Sequence, residues 1–497
     1  MDLHATLREY WGYEAFRPKQ QEIVESILAG HDVAVVMPTG GGKSLCYQLP
    51  AIVSGRLCVV ISPLIALMQD QASQLAQLGV PAAVLNSSQD QEERKEVFRK
   101  LYRNELKLLY LSPERLAVPS TTEWLMQCNP GYFAVDEAHC ISEWGHEFRP
   151  EYRQLQLLRD HFPEAPIAAF TASATRKVRH DILTQLKLRE PRTFITSFAR
   201  RNLRYFVRES AKKDKEKLLL RAIRHHQGES VIVYGSTIKT VEETAAMLND
   251  RGIPALHYHG KMEADARRQH QEQWMNGEVD VMVGTLAFGL GINKPDVRCV
   301  IHLSLPKSPE QYYQEAGRAG RDGQPADCLL LWSRGDIGVL VHFIDQMEDK
   351  VNKDAAWQRY HAVKALVETE ECRTRQICEY FGETPKAWDK CGNCDACAGL
   401  PDWMQKDDSK PARKMVYESE VSEGQLGALK SWRRDFARKQ HLAPYVILHD
   451  RTLTELLLRQ PVTVDELLSV PGIGPQKARK YGEDILEALF TALETRR

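Results

Sequence analysis

At 497 residues, 43% of them apolar and 27% charged with a formal net charge of −1, the chain is long enough for three or four domains with ordinary cores. The neutral total excludes wholesale basic coating of a polyanion. It leaves room for a local basic groove, because phosphate binding depends on where Lys and Arg stand. Met1-Asp2-Leu3-His4 shows neither a basic nor an apolar leader, and no apolar run approaches the ~20 residues that span a bilayer. Of eleven cysteines, Cys46, Cys58, Cys299 and Cys328 stand singly in apolar surroundings, whereas five fall between Cys372 and Cys397. That usage fits a metal cluster in a reducing compartment, the cytosol by default, rather than a disulfide scaffold.

In chain order, strands are predicted at Asp32–Met37, Leu57–Ser62, Leu106–Leu111, Tyr132–Val135 and Ile167–Thr171, with helices at Lys19–Leu28, Ile65–Leu78 and Glu92–Asn104 between them. The pattern restarts after Arg200 with strands at Val231–Tyr234, Val279–Gly284, Cys299–Leu303 and Cys328–Trp332 and helices such as Thr240–Asp250 and Ala266–Asn276. Such alternation predicts two tandem α/β domains with parallel sheets, 1–200 and 201–332. A helical module (333–400), a polar linker (401–421) and a helical tail (422–497) follow.

Val33–Met37 runs into Pro38-Thr39-Gly40-Gly41-Gly42-Lys43-Ser44 and then a helical stretch. Glycines let the backbone curl around phosphates, Lys43 offers a point charge to the β/γ-phosphates and the Ser44 hydroxyl can ligate magnesium. The strict phosphate-loop pattern has Gly where Met37 stands. Tyr132–Val135 ends in Asp136-Glu137-Ala138-His139. Asp136 is expected to hold the magnesium and Glu137 to polarise the attacking water. Arg318 and Arg321, three apart in Gln314–Gly323, could bring positive charge to a γ-phosphate from the second domain; an Arg-rich surface turn would look the same.

With these residues in place the chain resembles superfamily 2 helicases, and within them the RecQ family of ATP-dependent DNA helicases. Gly12–Gln20 is similar to the family's adenine-reading segment, which implies that Tyr13 stacks on the base and that Arg17 and Gln20 bind the nucleotide. Thr39–Ser44 and Asp136–His139 resemble motifs I and II, Ser62–Gln71 motif Ia, Phe170–Thr175 motif III and Gly284–Arg298 motif V. Gln314–Arg321 resembles motif VI, implying nucleotide contact for Gln314 and arginine-finger roles for Arg318 and Arg321. Cys140–Tyr152 resembles the aromatic-rich loop by which the family couples single-stranded DNA to hydrolysis. Trp144 and Phe148 can stack on unpaired bases, with His146 beside them and Arg149 on phosphate; an aromatic cluster packed in the core is the alternative.

Cys372, Cys391, Cys394 and Cys397 form a C-x18-C-x2-C-x2-C arrangement able to close a tetrahedral zinc site, structural because no position stays open. The resemblance implies such a module here. Four thiolates suit an iron–sulfur cluster as well, and Cys378 is a competing ligand set aside for its helical, core-like context. Ala398–Val421 is too short for the winged-helix domain found in full-length relatives, so the chain is similar to the family's short, RecS-like bacterial paralogues. The tail resembles an HRDC domain. Its Val470–Lys477 hairpin is expected to turn glycine amides toward phosphate, with Lys477, Arg479 and Lys480 nearby, and Lys430, Arg433, Arg434, Arg438 and Lys439 form a second basic strip. A protein-binding role for this module stays open.

The expected activity is an ATP- and magnesium-dependent helicase, with zinc as structural metal, translocating on single-stranded DNA and opening tailed or forked duplexes. Polarity, 3′ to 5′, is implied by the resemblance alone. A remodelling or annealing ATPase without robust unwinding, and an RNA helicase, are the alternatives. Single-strand-binding protein and other repair proteins are expected partners, no membrane is, and the expected place is the cytoplasm, at the nucleoid.

Overall fold

Val33-Ala34-Val35-Val36 has no polar gap and folds as a strand buried along its whole length (β1, Val33–Val36). Its sheet is completed by β2 (Cys58–Ile61), β3 (Ala82–Leu85), β4 (Leu108–Leu111), β5 (Tyr132–Val135), β6 (Ile167–Thr171) and β7 (Arg192–Ile195). The strand order is β3-β4-β2-β5-β6-β1-β7 and every pair is parallel. A second sheet holds β8 (Leu203–Glu209), β9 (Ser230–Tyr234), β10 (Ala255–Tyr258), β11 (Val281–Gly284), β12 (Val297–His302) and β13 (Ala326–Trp332). It is ordered β10-β11-β9-β12-β13-β8, again parallel throughout.

The structure, a computed structural model, describes residues 2–86, 89–145, 147–289, 294–405, 422–440 and 442–494. Most of the expected linker (406–421), His146, and residues 290–293 of the motif V stretch lie outside them. The chain divides into two compact units, Met1–Ser197 with Pro461–Asp484 and Phe198–Gln460 with Ile485–Arg497. Each unit carries one sheet. The hairpin portion of the tail thus groups with the first sheet rather than with the rest of the tail.

Helices cover the sheets with the faces their periodicity implies. Ile23, Ile27, Met68 and Leu75 pack on Val35, Val60, Ala134 and Phe170 in the first unit. Leu219, Ile223, Val241 and Leu248 pack on Val231, Val233, Ile301 and Leu329 in the second. Cys46, Cys58, Cys299 and Cys328 are fully buried members of these interiors.

β3, β7, β8 and β10 have no counterpart among the predicted strands, and they are the four edges of the two sheets. In β7, β8 and β10 polar or charged residues interrupt the apolar run, as suits a strand covered less, whereas β3 (Ala82-Ala83-Val84-Leu85) is apolar but short and half-exposed at its start. In β7 only Phe194 is even half-buried. Among the described residues no strand follows Trp332: Arg334–Asp345, Lys350–Glu368 and Arg373–Tyr380 are helices, and so is the tail. The architecture is two RecA-like parallel-sheet units with a helical zinc-binding module and an all-helical HRDC-like tail. Among the described residues no helix is long and apolar enough to cross a membrane.

Candidate nucleotide and nucleic-acid site

The chemistry-bearing residues of the first unit lie at the carboxyl ends of β1, β6 and β5, which are neighbours in that order. Beyond β1, the Met37 amide donates to the Thr171 carbonyl at 3.0 Å, which anchors the loop start to β6. Gly41 N–H donates to Pro38 O at 3.0 Å, closing a tight turn. Gly40 (φ 79°) and Gly42 (φ 86°) adopt left-handed backbone that a side chain would strain. The helix Lys43–Ser54 starts directly after Gly42, so Thr39, the three glycines, Lys43 and Ser44 stand where its N-terminal amides and positive dipole end favour phosphate. The Lys43 ammonium donates to Met37 O at 3.1 Å, folded back on its own loop.

Arg17 and Gln20 meet that loop directly. The buried Gln20 amide donates to Gly41 O at 3.3 Å and Gly42 O at 3.1 Å, and the Arg17 guanidinium donates to Gly40 O. A Cβ on Gly42 would crowd Gln20 Nε2, the end of a side chain that can shift, so the left-handed backbone rather than Gln20 favours glycine there. Gln20 Oε1 accepts from Arg17 N–H at 2.9 Å, joining the two residues. Tyr13 is half-buried against a small cluster of Leu7, Val24, Leu45 and Leu49.

At the end of β5, Asp136 is buried and its backbone N–H donates to Ile61 O at 2.8 Å. Burial pushes its carboxyl well up, the adjacent Glu137 charge adds to this, and Lys43 opposes both. Glu137 holds a left-handed backbone (φ 47°), a strained setting for a non-glycine residue of the kind found at functional sites. The buried His139 ring ties this strand end to β6: its Nδ1 lies 2.9 Å from Thr171 Oγ1 and 3.3 Å from a Glu137 carboxylate oxygen. Burial alone would lower this imidazole, but Cys140, Glu137 and Glu147 together raise it. Met37, Thr171 and His139 therefore form one hydrogen-bonded line across the three strand ends. Thr171 and Tyr152, whose hydroxyl donates to Asp136 O at 2.9 Å, were not singled out from sequence.

The loop after His139 turns at Gly145, where a Cβ would meet His139 O at 2.8 Å. Trp144, Phe148 and Arg149 are all half-buried, neither core nor fully free; His146 is outside the described residues. Arg149 donates to Pro63 O at 3.2 Å, reaching the motif Ia segment.

In the second unit, Arg318 and Arg321 follow the helix Pro309–Ala316, and Gln314 lies within it. Arg318 packs so closely on Gly289 that a Cβ there would lie 2.7 Å from its guanidinium. Arg200, which sequence reading used only as a boundary, shapes this turn by donating to Gly317 O at 3.1 Å, Ala319 O at 3.0 Å and Gly320 O at 2.6 Å. No local pattern distinguishes that role.

The sulfurs of Cys372, Cys391, Cys394 and Cys397 all lie within 4.8 Å of one another, and Cys391 and Cys397 are 3.9 Å apart. Thiolates about 2.3 Å from a tetrahedral zinc sit about 3.8 Å apart, so the cage fits that ion. Cys378 is buried outside this group, its thiol pushed up by burial and Glu383. Asp395, between two of the cysteines, accepts from Arg373 Nε at 2.9 Å and from the Val207 amide of β8 at 2.9 Å. An acid beside four thiolates is unfavourable unless it points elsewhere, and that local oddity was the available signal for its role.

The tail corrects one expectation. The Gly472 amide does not face open solvent; it donates to Gly12 O at 3.2 Å, and Gly472, Ile473 and Gly474 are buried. Desolvation pushes the Lys477 ammonium down to about 8, and Lys480 donates to Gln77 Oε1 at 2.6 Å. The second basic strip is also partly committed: Arg433 and Lys430 pair with Asp450 at 2.7 and 2.9 Å.

Fold and site together define a helicase motor of the DEAD/DEAH-box type. Family models match along the chain in order: DEAD/DEAH box helicase (17–181), helicase conserved C-terminal domain (214–323), RecQ zinc-binding (334–398) and HRDC domain (422–489). The ATP-dependent DNA helicase RecQ of Pasteurella multocida is 39% identical over 97% of this chain and 73% of its own length. Its namesake in Bacillus subtilis is 34% identical over 97% of both chains. That alignment runs over 577 positions against 497 residues here, so at least 80 positions of the relative have no counterpart. The chain belongs to the RecQ family of helicases. In fold it is also similar to Mycobacterium smegmatis helicase Lhr (TM-score 0.52, 19% identity, 71% of this chain and 56% of that one).

Proposed function

We propose that the chain is an ATP-dependent DNA helicase in which Thr39–Ser44 cradles the triphosphate, Ser44 and Asp136 hold magnesium, and Glu137 polarises the attacking water. Tyr13 stacks on the base and Arg17 and Gln20 bind the nucleotide, while the resemblance implies a nucleotide contact for Gln314 and arginine-finger roles for Arg318 and Arg321. The observation that carries this reading is the hydrogen-bonded line Met37–Thr171–His139, which joins the phosphate loop to the Asp136–Glu137 strand end. A change in phosphate occupancy at one end is felt at the carboxylates and at the aromatic loop beyond them. Trp144, Phe148 and Arg149 would take single-stranded DNA, and movement is 3′ to 5′ as in the family the chain resembles. Zinc, held by the four cysteines, supplies folding energy rather than chemistry.

The substrates are single-stranded and tailed or forked duplex DNA in repair, recombination or fork processing. Single-strand-binding protein and other repair proteins are the proposed partners, and the nucleoid of the cytoplasm the proposed place. The curated relatives are named DNA helicases, which gives no support to an RNA helicase. Strand displacement on a 3′-tailed duplex tests the reading: wild type releases the strand with ATP, and Lys43→Ala abolishes both release and hydrolysis. One observation favours a second reading. The gap against the Bacillus relative, together with the short stretch after Cys397, leaves no room for a winged helix to split strands. DNA-stimulated hydrolysis without displacement would favour a remodelling or annealing ATPase.

A further inference from the structure

The helix Arg176–Gln185 holds the aromatic loop at two points. Asp181 accepts a hydrogen bond from the Ser142 hydroxyl at 2.5 Å, and Ser142 Oγ in turn accepts from the Trp144 amide at 3.2 Å. One turn nearer the helix start, the Lys177 ammonium lies 2.8 Å from the centroid of the Trp144 ring. Among the described residues it makes no ion pair, and apart from this contact Lys177 is exposed. The first turn contains no acidic residue and carries Arg176 beside Lys177. Cations at the positive end of a helix oppose its dipole, so local stability does not explain their presence. Arg153 stands 5.2 Å over the Phe148 ring in a similar way, but Glu143 also holds it at 2.8 Å, so it is committed elsewhere.

We propose that Lys177 is a single-strand phosphate ligand that occupies the face of Trp144 until DNA arrives. A base cannot stack on a ring face already covered by an ammonium. When a strand enters, the base takes the ring, and the displaced Lys177 pairs with the phosphate flanking that base. The exchange replaces one exposed cation–π contact with a base–aromatic stack plus a charge-assisted contact, and the two gains together exceed what is given up. Because the Ser142–Asp181 contact need not break, Lys177 moves while the loop stays attached to its helix. The proposal rests on the DNA-helicase reading and adds to it a residue just beyond the motif stretches Cys140–Tyr152 and Phe170–Thr175.

The test is the salt dependence of oligothymidine binding and of oligothymidine-stimulated ATP hydrolysis, measured on the full chain. Lys177→Met keeps the stem and removes the charge at an exposed position. It is expected to raise the half-saturating oligonucleotide concentration about fivefold at low salt and to lower the slope of log affinity against log salt by about 0.7, the share of one phosphate. Lys177→Arg should restore both. An unchanged slope in Lys177→Met, even with altered affinity, overturns the proposal, because shaping Trp144 without touching phosphate would leave the slope alone. If wild-type hydrolysis does not respond to the oligonucleotide, the helicase reading itself fails instead.

Discussion

A Cβ added to Gly12 would lie 2.6 Å from the backbone nitrogen of Gly474, and one added to Gly474 would lie 3.0 Å from the nitrogen of Gly12. Two glycines far apart in the chain thus meet backbone to backbone, directly before Tyr13 and the loop-bracing pair Arg17 and Gln20. Gly12 also ends the first helix in a left-handed conformation (φ 69°), so its identity is doubly constrained.

Gly474→Ala should loosen this junction, since overpacking a close backbone contact costs about 1–3 kcal/mol. Hydrogen exchange at residues 470–476 should accelerate, the Gly472 amide most of all, while exchange in β1 and β5 stays unchanged. Unaltered protection of Gly472 would show that its bond to Gly12 O contributes nothing.

Gln20→Ala removes two hydrogen bonds to Gly41 O and Gly42 O from a buried side chain. Leaving those carbonyls without it costs about 1–3 kcal/mol, which should appear as a roughly tenfold rise in KM for ATP. Nucleotide titration of the variant, with circular dichroism to verify folding, checks this. If Gln20 served only the base, the loss would vanish when inorganic pyrophosphate replaces ATP as the probe; bracing of the loop predicts weakened binding of both.

Cys394→Ser should lose the bound zinc and lower the melting temperature, because metal-binding energy here is folding energy. The damage should reach β8, since Asp395 beside that cysteine accepts from the Val207 amide. Cys378→Ser, outside the cage, should keep its zinc by atomic emission. Loss of metal in Cys378→Ser would redraw the ligand set.

Asp450, facing Arg433 and Lys430, is held below the usual carboxylate range: burial raises it, but the two cations and their hydrogen bonds lower it further. A depressed folded-state value means stabilisation that is complete above the unfolded value of about 3.9 and is lost as pH falls below it. Acid unfolding of the tail should therefore begin near pH 4, and Asp450→Asn should flatten that limb. It should also cost about 1–2 kcal/mol at neutral pH, because the buried Arg433 loses its counter-charge while the partly exposed Asp450 and Lys430 are screened by water. Equilibrium unfolding of both proteins between pH 3 and 7 provides the comparison.

The sequence by itself determined the interior of both sheets, the phosphate loop, the acidic strand end and the cysteine pattern. Each of these is written locally: a strand covered on both faces needs an uninterrupted apolar run, as in Val33–Val36, and a phosphate loop needs its glycines and lysine side by side. Only the tertiary structure decided the four edge strands, Arg200's hold on the motif VI turn, Gln20's bonds to the glycine loop and the Lys177 contact on Trp144. It also turned the tail hairpin from an open phosphate site into a contact with Gly12. These features join residues distant in the chain, and neither propensity nor spacing records which distant group will satisfy a given donor, acceptor or ring face.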